Sequence, residues 1–186
     1  METHVCPYWV GYFLINPLRK YAQNPEKILK SYIKPGMIII DYGCAMGYFS
    51  IPMARLAGNS GKVYCFDIQE KMLKKLEQRA KKANVGQIVK PVLINSDGTT
   101  NNKIKGMADF ALLFAVAHEV PDRQKLFTDL HQMMKTDRIL LFAEPKGHVT
   151  LDEFEKSVGF AEIAGFEQIK SLNIRRSHAV LLKKVK

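Results

Sequence analysis

Cysteine is scarce in this chain. Cys6, Cys44 and Cys65 are the only three, an odd number that cannot close a disulfide framework. No pair is spaced C-x-x-C, so a structural zinc site has no ligand set of the usual kind, and no metal is expected. Long apolar runs are missing too: none approaches the roughly 20 residues a helix needs to cross a bilayer. The opening METHVCPYWVGYFLINPLRK has an apolar middle but neither a basic leader nor a small-residue cleavage site. A secretory signal is therefore not expected, and cytoplasmic residence is the default. Internal repeats, linkers and low-complexity tracts are absent as well. A single domain is the expectation for 186 residues.

What is present is the composition of an ordinary soluble globular protein, 47% hydrophobic and 25% charged. The unusual feature is charge of one sign: 28 Lys and Arg against 18 Asp and Glu, a net +10. A basic surface attracts nucleic acid, anionic membrane or acidic ligands. Much of this charge lies in Glu70–Ala83, EKMLKKLEQRAKKA. There Met72, Leu73, Leu76, Ala80 and Ala83 form an apolar stripe at helical spacing. Lys71, Lys74, Lys75, Arg79, Lys81 and Lys82 mostly take the remaining circumference. That pattern describes a core-facing helix with a wet basic face, so nucleic acid is the lesser expectation for a partner.

From residue 36 onward, short β-type runs alternate with helical patterns, the mark of a parallel sheet with crossover helices. Met37–Asp41 reads as a buried central strand, continuously apolar because helices cover both faces. Tyr48–Leu56 reads as the first crossover helix, Lys62–Asp67 as the second strand, and the basic helix follows. Ile88–Ile94 and Asp109–Ala115 are the third and fourth strands. Pro121 is expected to open a helix through about Met134. Arg138–Glu144 is the fifth strand and Leu151–Ala164 a further helix. Phe166–Ile174 and Ser177–Lys184 are two closing strands too near each other for a parallel return, so an antiparallel hairpin is expected. The fold class is thus α/β, a Rossmann-like doubly wound, mostly parallel seven-stranded sheet with an antiparallel C-terminal strand. Residues 1–35 precede it as an aromatic-rich helical cap of the same domain, and residues 36–186 form the rest.

The decisive segment is Ile38–Gly47, IIIDYGCAMG: strand, acid, glycine-bearing turn, helix. A ligand of such a fold sits beyond the carboxyl ends of the strands, where the first turn must let backbone approach it closely. Gly43 and Gly47 remove side chains from that approach, and Cys44 and Ala45 are small. The dinucleotide pattern G-x-G-x-x-G is absent, since Ala45 stands two after Gly43 and Tyr48 five after; this argues against a nicotinamide-dependent oxidoreductase. Asp41, two residues before the first glycine, would repel a pyrophosphate and suits a ligand bearing an ammonium group. Asp67 ends the second strand about 20 residues beyond the turn, where a carboxylate can accept both hydroxyls of a ribose.

These residues carry a resemblance. DYGCAMG resembles motif I of the class I S-adenosylmethionine-dependent methyltransferases, departing from it at Ala45, where that family usually has glycine. Asp67 in VYCFDIQEKML stands where the family places its ribose-binding acid, and Ser96-Asp97-Gly98 resembles the loop after its third strand. Asp109–Pro121, DFALLFAVAHEVP, and the run on to ILLFAEP resemble the small-molecule branch similar to the ubiquinone/menaquinone-biosynthesis methyltransferases. The likeness covers roughly residues 36–186. It implies S-adenosylmethionine as cofactor, S-adenosylhomocysteine as product, and methyl transfer to a small-molecule acceptor by in-line displacement. It implies that Asp41, Tyr42, Gly43, Cys44, Ala45 and Gly47 cradle the methionine end, with Asp41 acting through water or backbone as one alternative. Asp67 and Ile68 would hold ribose and adenine with Met72 adjacent, Asp97 and Gly98 would border the adenine, and Phe114, Ala115 and Val116 would form a floor.

Displacement at a sulfonium needs a base only where the acceptor starts protonated. His118 and Glu119, just past the fourth strand, are the candidates; the plainer reading of His118 is a hydrogen-bonded loop histidine. Glu144 and His148 are weaker candidates for the same role, with a capping or solvated role as the plainer reading of each. Tyr8, Trp9, Tyr12 and Phe13 are candidates for a substrate lid, with plain packing as the alternative. Two further readings stand beside a small-molecule enzyme: an RNA methyltransferase using the basic surface, and a non-catalytic binding module on the same fold. Against the first, no Asn/Asp-Pro-Pro-Tyr/Phe signature occurs and no cysteine sits where a C5 nucleophile would be.

Overall fold

The computed structural model describes residues 19–95 and 104–185. Seven strands make up the sheet: β1 (Ile38–Tyr42), β2 (Lys62–Asp67), β3 (Val89–Leu93), β4 (Ala108–Phe114), β5 (Met134–Pro145), β6 (Phe166–Ser171) and β7 (Ser177–Lys184). Their order is β3-β2-β1-β4-β5-β7-β6. The helices are α1 (Arg19–Ala22), α2 (Pro25–Leu29), α3 (Ser50–Ala57), α4 (Glu70–Lys82), α5 (Arg123–Met133) and α6 (Leu151–Ile163), with a 3-10 turn at Ala117–Glu119. This is the mostly parallel, seven-stranded α/β architecture that the alternation of elements implied. The described residues fall into two compact units, 19–95 and 104–185.

In the first unit β1 pairs in parallel with β2, and β2 with β3. Ile39, Ile40, Val63, Cys65 and Phe66 are wholly buried, which explains why β1 and β2 read as nearly continuous apolar runs. The stripe on α4 goes inside as its spacing requires: Met72, Leu73, Leu76 and Ala80 are buried, and Lys71 and Lys74 are exposed. Arg79 departs from the solvated face. Its guanidinium folds back and donates to the carbonyl of Met46, in the turn after β1. Crossover helix α3 begins at Ser50 rather than Tyr48, whose hydroxyl donates instead to the carbonyl of Gln23 at 2.8 Å.

In the second unit β4 and β5 run parallel, and β7 lies antiparallel between β5 and β6. The closing strands therefore form the hairpin expected, with β6 ending at Ser171. Helix α5 starts at Arg123, two residues after Pro121, because the Asp122 side chain accepts from the Lys125 N–H at 2.8 Å and caps it. Strand β5 begins at Met134, earlier than periodicity suggested. The Lys184 ammonium donates to the carbonyls of His131 and Met134 there, and Lys135 pairs with Asp109 at 2.7 Å. Helix α6 opens on a capping box, Thr150 with Glu153.

Phe142 on β5 is the packing centre of this unit. It is wholly buried, edge-on to Phe127 of α5 at 5.3 Å and stacked on Phe154 of α6 at 4.9 Å. Phe142→Ala removes both ring contacts and leaves a cavity, and is expected to cost about 3–5 kcal/mol in urea unfolding. A loss below about 1 kcal/mol would show that the aromatic layer is not what holds α5 and α6 on the sheet.

Candidate active site

Strand β1 ends in a turn that the rest of the first unit braces from several sides. The N–H groups of Gly43 and Cys44 both donate to the carbonyl of Phe66, at 2.8 and 3.0 Å, tying the turn to the end of β2. Gly43, Ala45 and Gly47 have φ of 73°, 46° and 81°, all in the left-handed region. Glycine adopts it freely; for Ala45 it costs roughly 1–2 kcal/mol. That cost is met by a charge-assisted bond, since the Ala45 N–H donates to Asp67 Oδ2 at 2.9 Å. A Cβ at Gly47 would lie 2.2 Å from Leu76 Cδ1 of α4. A side chain at this position would thus have to displace the end of Leu76 as well as adopt the left-handed φ.

Asp67, 8% exposed, also accepts from the Gln69 N–H through Oδ1 at 2.8 Å. Burial pushes its carboxyl up, opposed by the amide bonds from Gln69, Ala45 and Ile68. Two carboxylate oxygens offer about four acceptor sites, so the three amides leave capacity for about one further donor. Beside it on β1, Asp41 is 3% exposed and accepts from Ser50 Oγ at 2.5 Å. Burial raises its carboxyl to about 7, the Ser50 bond opposing and the Asp67 charge adding to the rise. One oxygen of this carboxyl thus faces the first residue of α3. Cys44 and Cys65 are buried free thiols, and burial pushes that of Cys44 well up, so neither is a nucleophile. Tyr42 stacks on Phe66 at 5.8 Å; Ile68 is 41% exposed, and Met72 is buried in the stripe of α4.

The second unit carries a separate group at the end of β4. Phe114 is buried, and Ala115 takes φ 60° while its N–H donates to the carbonyl of Ala143 at 2.8 Å. This kink brings Val116 and the 3-10 turn over Glu144, near the end of β5. Glu144 is 1% exposed. Its Oε1 accepts from the N–H groups of Val116 and Ala117, at 3.1 and 2.8 Å, and its Oε2 meets Nδ1 of His118. His118 Nε2 lies 3.9 Å from Glu119 Oε1, too long for a hydrogen bond. The His148 ring, exposed, lies parallel to that of His118 at 6.1 Å. The Glu144 bond holds His118 above its ordinary range, and burial and Arg123 oppose that.

Asp41, Tyr42, Gly43, Cys44, Ala45, Gly47, Asp67 and Ile68 thus gather at the carboxyl ends of β1 and β2. Phe114, Ala115, Val116, His118 and Glu119 gather at that of β4. Asp97 and Gly98 lie outside the described residues, as do the lid candidates Tyr8, Trp9, Tyr12 and Phe13. Sequence reasoning missed Ser50 and Arg79, and it ranked Glu144 behind His118 and Glu119, with a capping or solvated role as its plainer reading. Glu144 does bond two backbone amides, but it is buried and holds a histidine. Its signal was there to read: an acid ending a strand of otherwise unbroken apolar character, ILLFAE.

Asp41 links stability to pH. The native state keeps a proton up to about pH 7 that the unfolded chain, near 3.8, has already released. Between those values the folded form binds more protons, so this group makes stability fall as pH rises. Asp41→Asn is expected to flatten that part of the profile, measured by urea unfolding at about pH 5 and about pH 8. An unchanged difference between the two pH values would place the titration elsewhere.

A family model described as a methyltransferase domain matches residues 33–173. Among curated proteins, a probable cobalt-precorrin-6B C(15)-methyltransferase (decarboxylating) from Saccharolobus solfataricus is 33% identical over 69 residues. That match covers 37% of this chain and spans 35% of the relative's length. Among solved structures, a SAM-dependent methyltransferase from Aquifex aeolicus superposes with a TM-score of 0.82 at 22% identity, over 97% of this chain and 100% of that one. TYW2 of M. jannaschii, solved in complex with AdoMet, has a TM-score of 0.64 at 17% identity, over 88% and 77% of the two chains. At these identities the structural likeness concerns the fold.

Proposed function

This chain belongs to the methyltransferase-domain family, and from that premise we propose that it moves a methyl group from S-adenosylmethionine to a small-molecule acceptor by in-line displacement. The observation that carries the reading is the pairing of a left-handed glycine turn with Asp67, whose carboxylate supports the turn and keeps acceptor capacity. Both features fit the cofactor. Gly43 and Gly47 keep Cβ atoms out of the turn, and Asp67 offers a fixed acceptor for a ribose diol.

When bound, S-adenosylmethionine supplies a methyl group made electrophilic by its sulfonium. The turn Gly43–Gly47, with Asp41, Tyr42, Cys44 and Ala45, is assigned to the methionine end. Asp67 and Ile68 are assigned to ribose and adenine, with Met72 behind them. Asp41 works through Ser50 and the start of α3 and so shapes the turn's surroundings without facing the ligand. His118 takes a proton from the acceptor, and Glu119, whose carboxylate lies 3.9 Å from Nε2, favours the cation that results.

Asp67→Ala is expected to weaken S-adenosylmethionine binding by roughly tenfold to a hundredfold, the about 1.5–3 kcal/mol of hydrogen bonds to a charged group. Gly43→Val, which forces a β-branched residue to φ 73°, is expected to weaken it further. Titration calorimetry checks both. Wild-type affinity in the two variants would remove the cofactor from this turn.

A further inference from the structure

We propose that Glu144 is a positioning residue that holds the His118 imidazole with its proton on Nδ1, so that Nε2 stands as a proton acceptor and the methyl acceptor arrives carrying a proton on its attacking atom. The inference rests on the methyltransferase reading for its reaction and on the second unit alone for its geometry.

Glu144 lies almost wholly out of solvent, and a buried carboxylate persists where donors satisfy it. Two of its donors are fixed, the amides of Val116 and Ala117 on Oε1. As a carboxylate it offers only acceptors, so the imidazole atom facing Oε2 must donate. That atom is Nδ1. A ring with one proton, placed on Nδ1, leaves its lone pair on Nε2. Glu119 Oε1, 3.9 Å away, does not bond that lone pair.

A capping acid would need only Oε1 for the two amides. The second oxygen is given to the histidine, and the kink at Ala115 sets the 3-10 turn so that this bond forms. Among the described residues, the charged and titratable groups around the ring are Glu144 on one side, Glu119 on the other, Arg123 at the start of α5, and His148 parallel to it. Both acids favour the imidazolium and Arg123 opposes it.

The step balances. A bond forms between the attacking atom and the methyl carbon, and the carbon–sulfur bond breaks with its electron pair remaining on sulfur. The proton leaves the attacking atom for Nε2, and the resulting imidazolium keeps its Nδ1–H hydrogen-bonded to the Glu144 carboxylate. An acceptor that needs no base, such as a thioether or a neutral amine lone pair, has no use for this arrangement. A hydroxyl, a thiol or an acidic carbon does.

The test uses the full chain, labelled with nitrogen-15 at histidine, as wild type, Glu144→Gln and Glu144→Asp. In Glu144→Gln the amide oxygen can keep the two backbone bonds while the amide NH2 faces Nδ1 and drives the ring proton to Nε2. Nitrogen-15 spectra of wild type are expected to show His118 protonated at Nδ1 in its neutral form, with a titration midpoint above 6.5. Glu144→Gln is expected to reverse the tautomer and lower the midpoint by about one unit, a tenfold change in proton affinity. Glu144→Asp should restore part of both. Melting temperature, followed alongside, reports the cap. Glu144→Gln with an unchanged tautomer and midpoint, or a wild-type ring protonated at Nε2, would overturn the proposal. Calorimetry with S-adenosylmethionine on the same samples tests the methyltransferase reading separately, because the tautomer is read without cofactor.

Discussion

A carboxylate taken out of water costs several kcal/mol unless donors are brought to it. Three acids at the carboxyl ends of strands impose that demand here, and the local backbone is arranged around them. Asp67 draws in the amides of Ala45 and Gln69, which holds the turn after β1 in a conformation that Ala45 would not take alone. Asp41 draws in the Ser50 hydroxyl, fixing the start of α3. Glu144 draws in two amides and an imidazole, fixing the exit from β4. The left-handed residues Gly43, Ala45, Gly47 and Ala115 sit beside these acids. Backbone strain and carboxylate burial are each tolerable because the other is present.

The environments differ, and so do the chemical roles open to each acid. Asp41 has one hydroxyl donor and a like charge nearby, and burial carries it to about 7. Such a group changes charge near neutrality. Asp67 is held by three backbone amides against the same burial, so it serves as a fixed acceptor. Glu144 spends its oxygens on donors of its own chain and passes its influence through His118. Like groups pushed apart by their surroundings are the usual way a fold separates binding from proton transfer.

Much of this was legible in the residue order. The continuous apolar character of MIIID and DFALLFA reports burial on both faces, so the strands were plain. The stripe on α4 reports a core-facing helix, and the spacing of Gly43, Gly47 and Asp67 marks a close approach of backbone. Periodicity says which face is buried, but it does not say where a long side chain folds back. Arg79 sits in a basic helix by pattern and on the Met46 carbonyl in fact. The start of α5 turned on a cap, Asp122, that overrode the proline signal. The Asp41–Ser50 and His118–Glu144 pairs join residues 9 and 26 positions apart, and no local pattern encodes such a meeting.

The basic surface takes a different weight once the acids are placed. The net charge of +10 suggests anionic partners, yet the strand-end groups are built from carboxylates and a histidine. Lys71 and Lys74 of α4 are exposed, and Lys74 pairs with Glu70 at 2.9 Å on the same helix. Exposed charge of this kind is screened within about 8 Å at physiological salt, and such pairs contribute about 0.3–0.5 kcal/mol. These two lysines therefore act over solvent at short range. The buried acids act in a medium of lower effective dielectric, where each hydrogen bond and charge counts for more. Under the proposed reaction, selectivity for an acceptor belongs to the second set, since a proton passes to Nε2 only from an atom held against the ring that Glu144 orients.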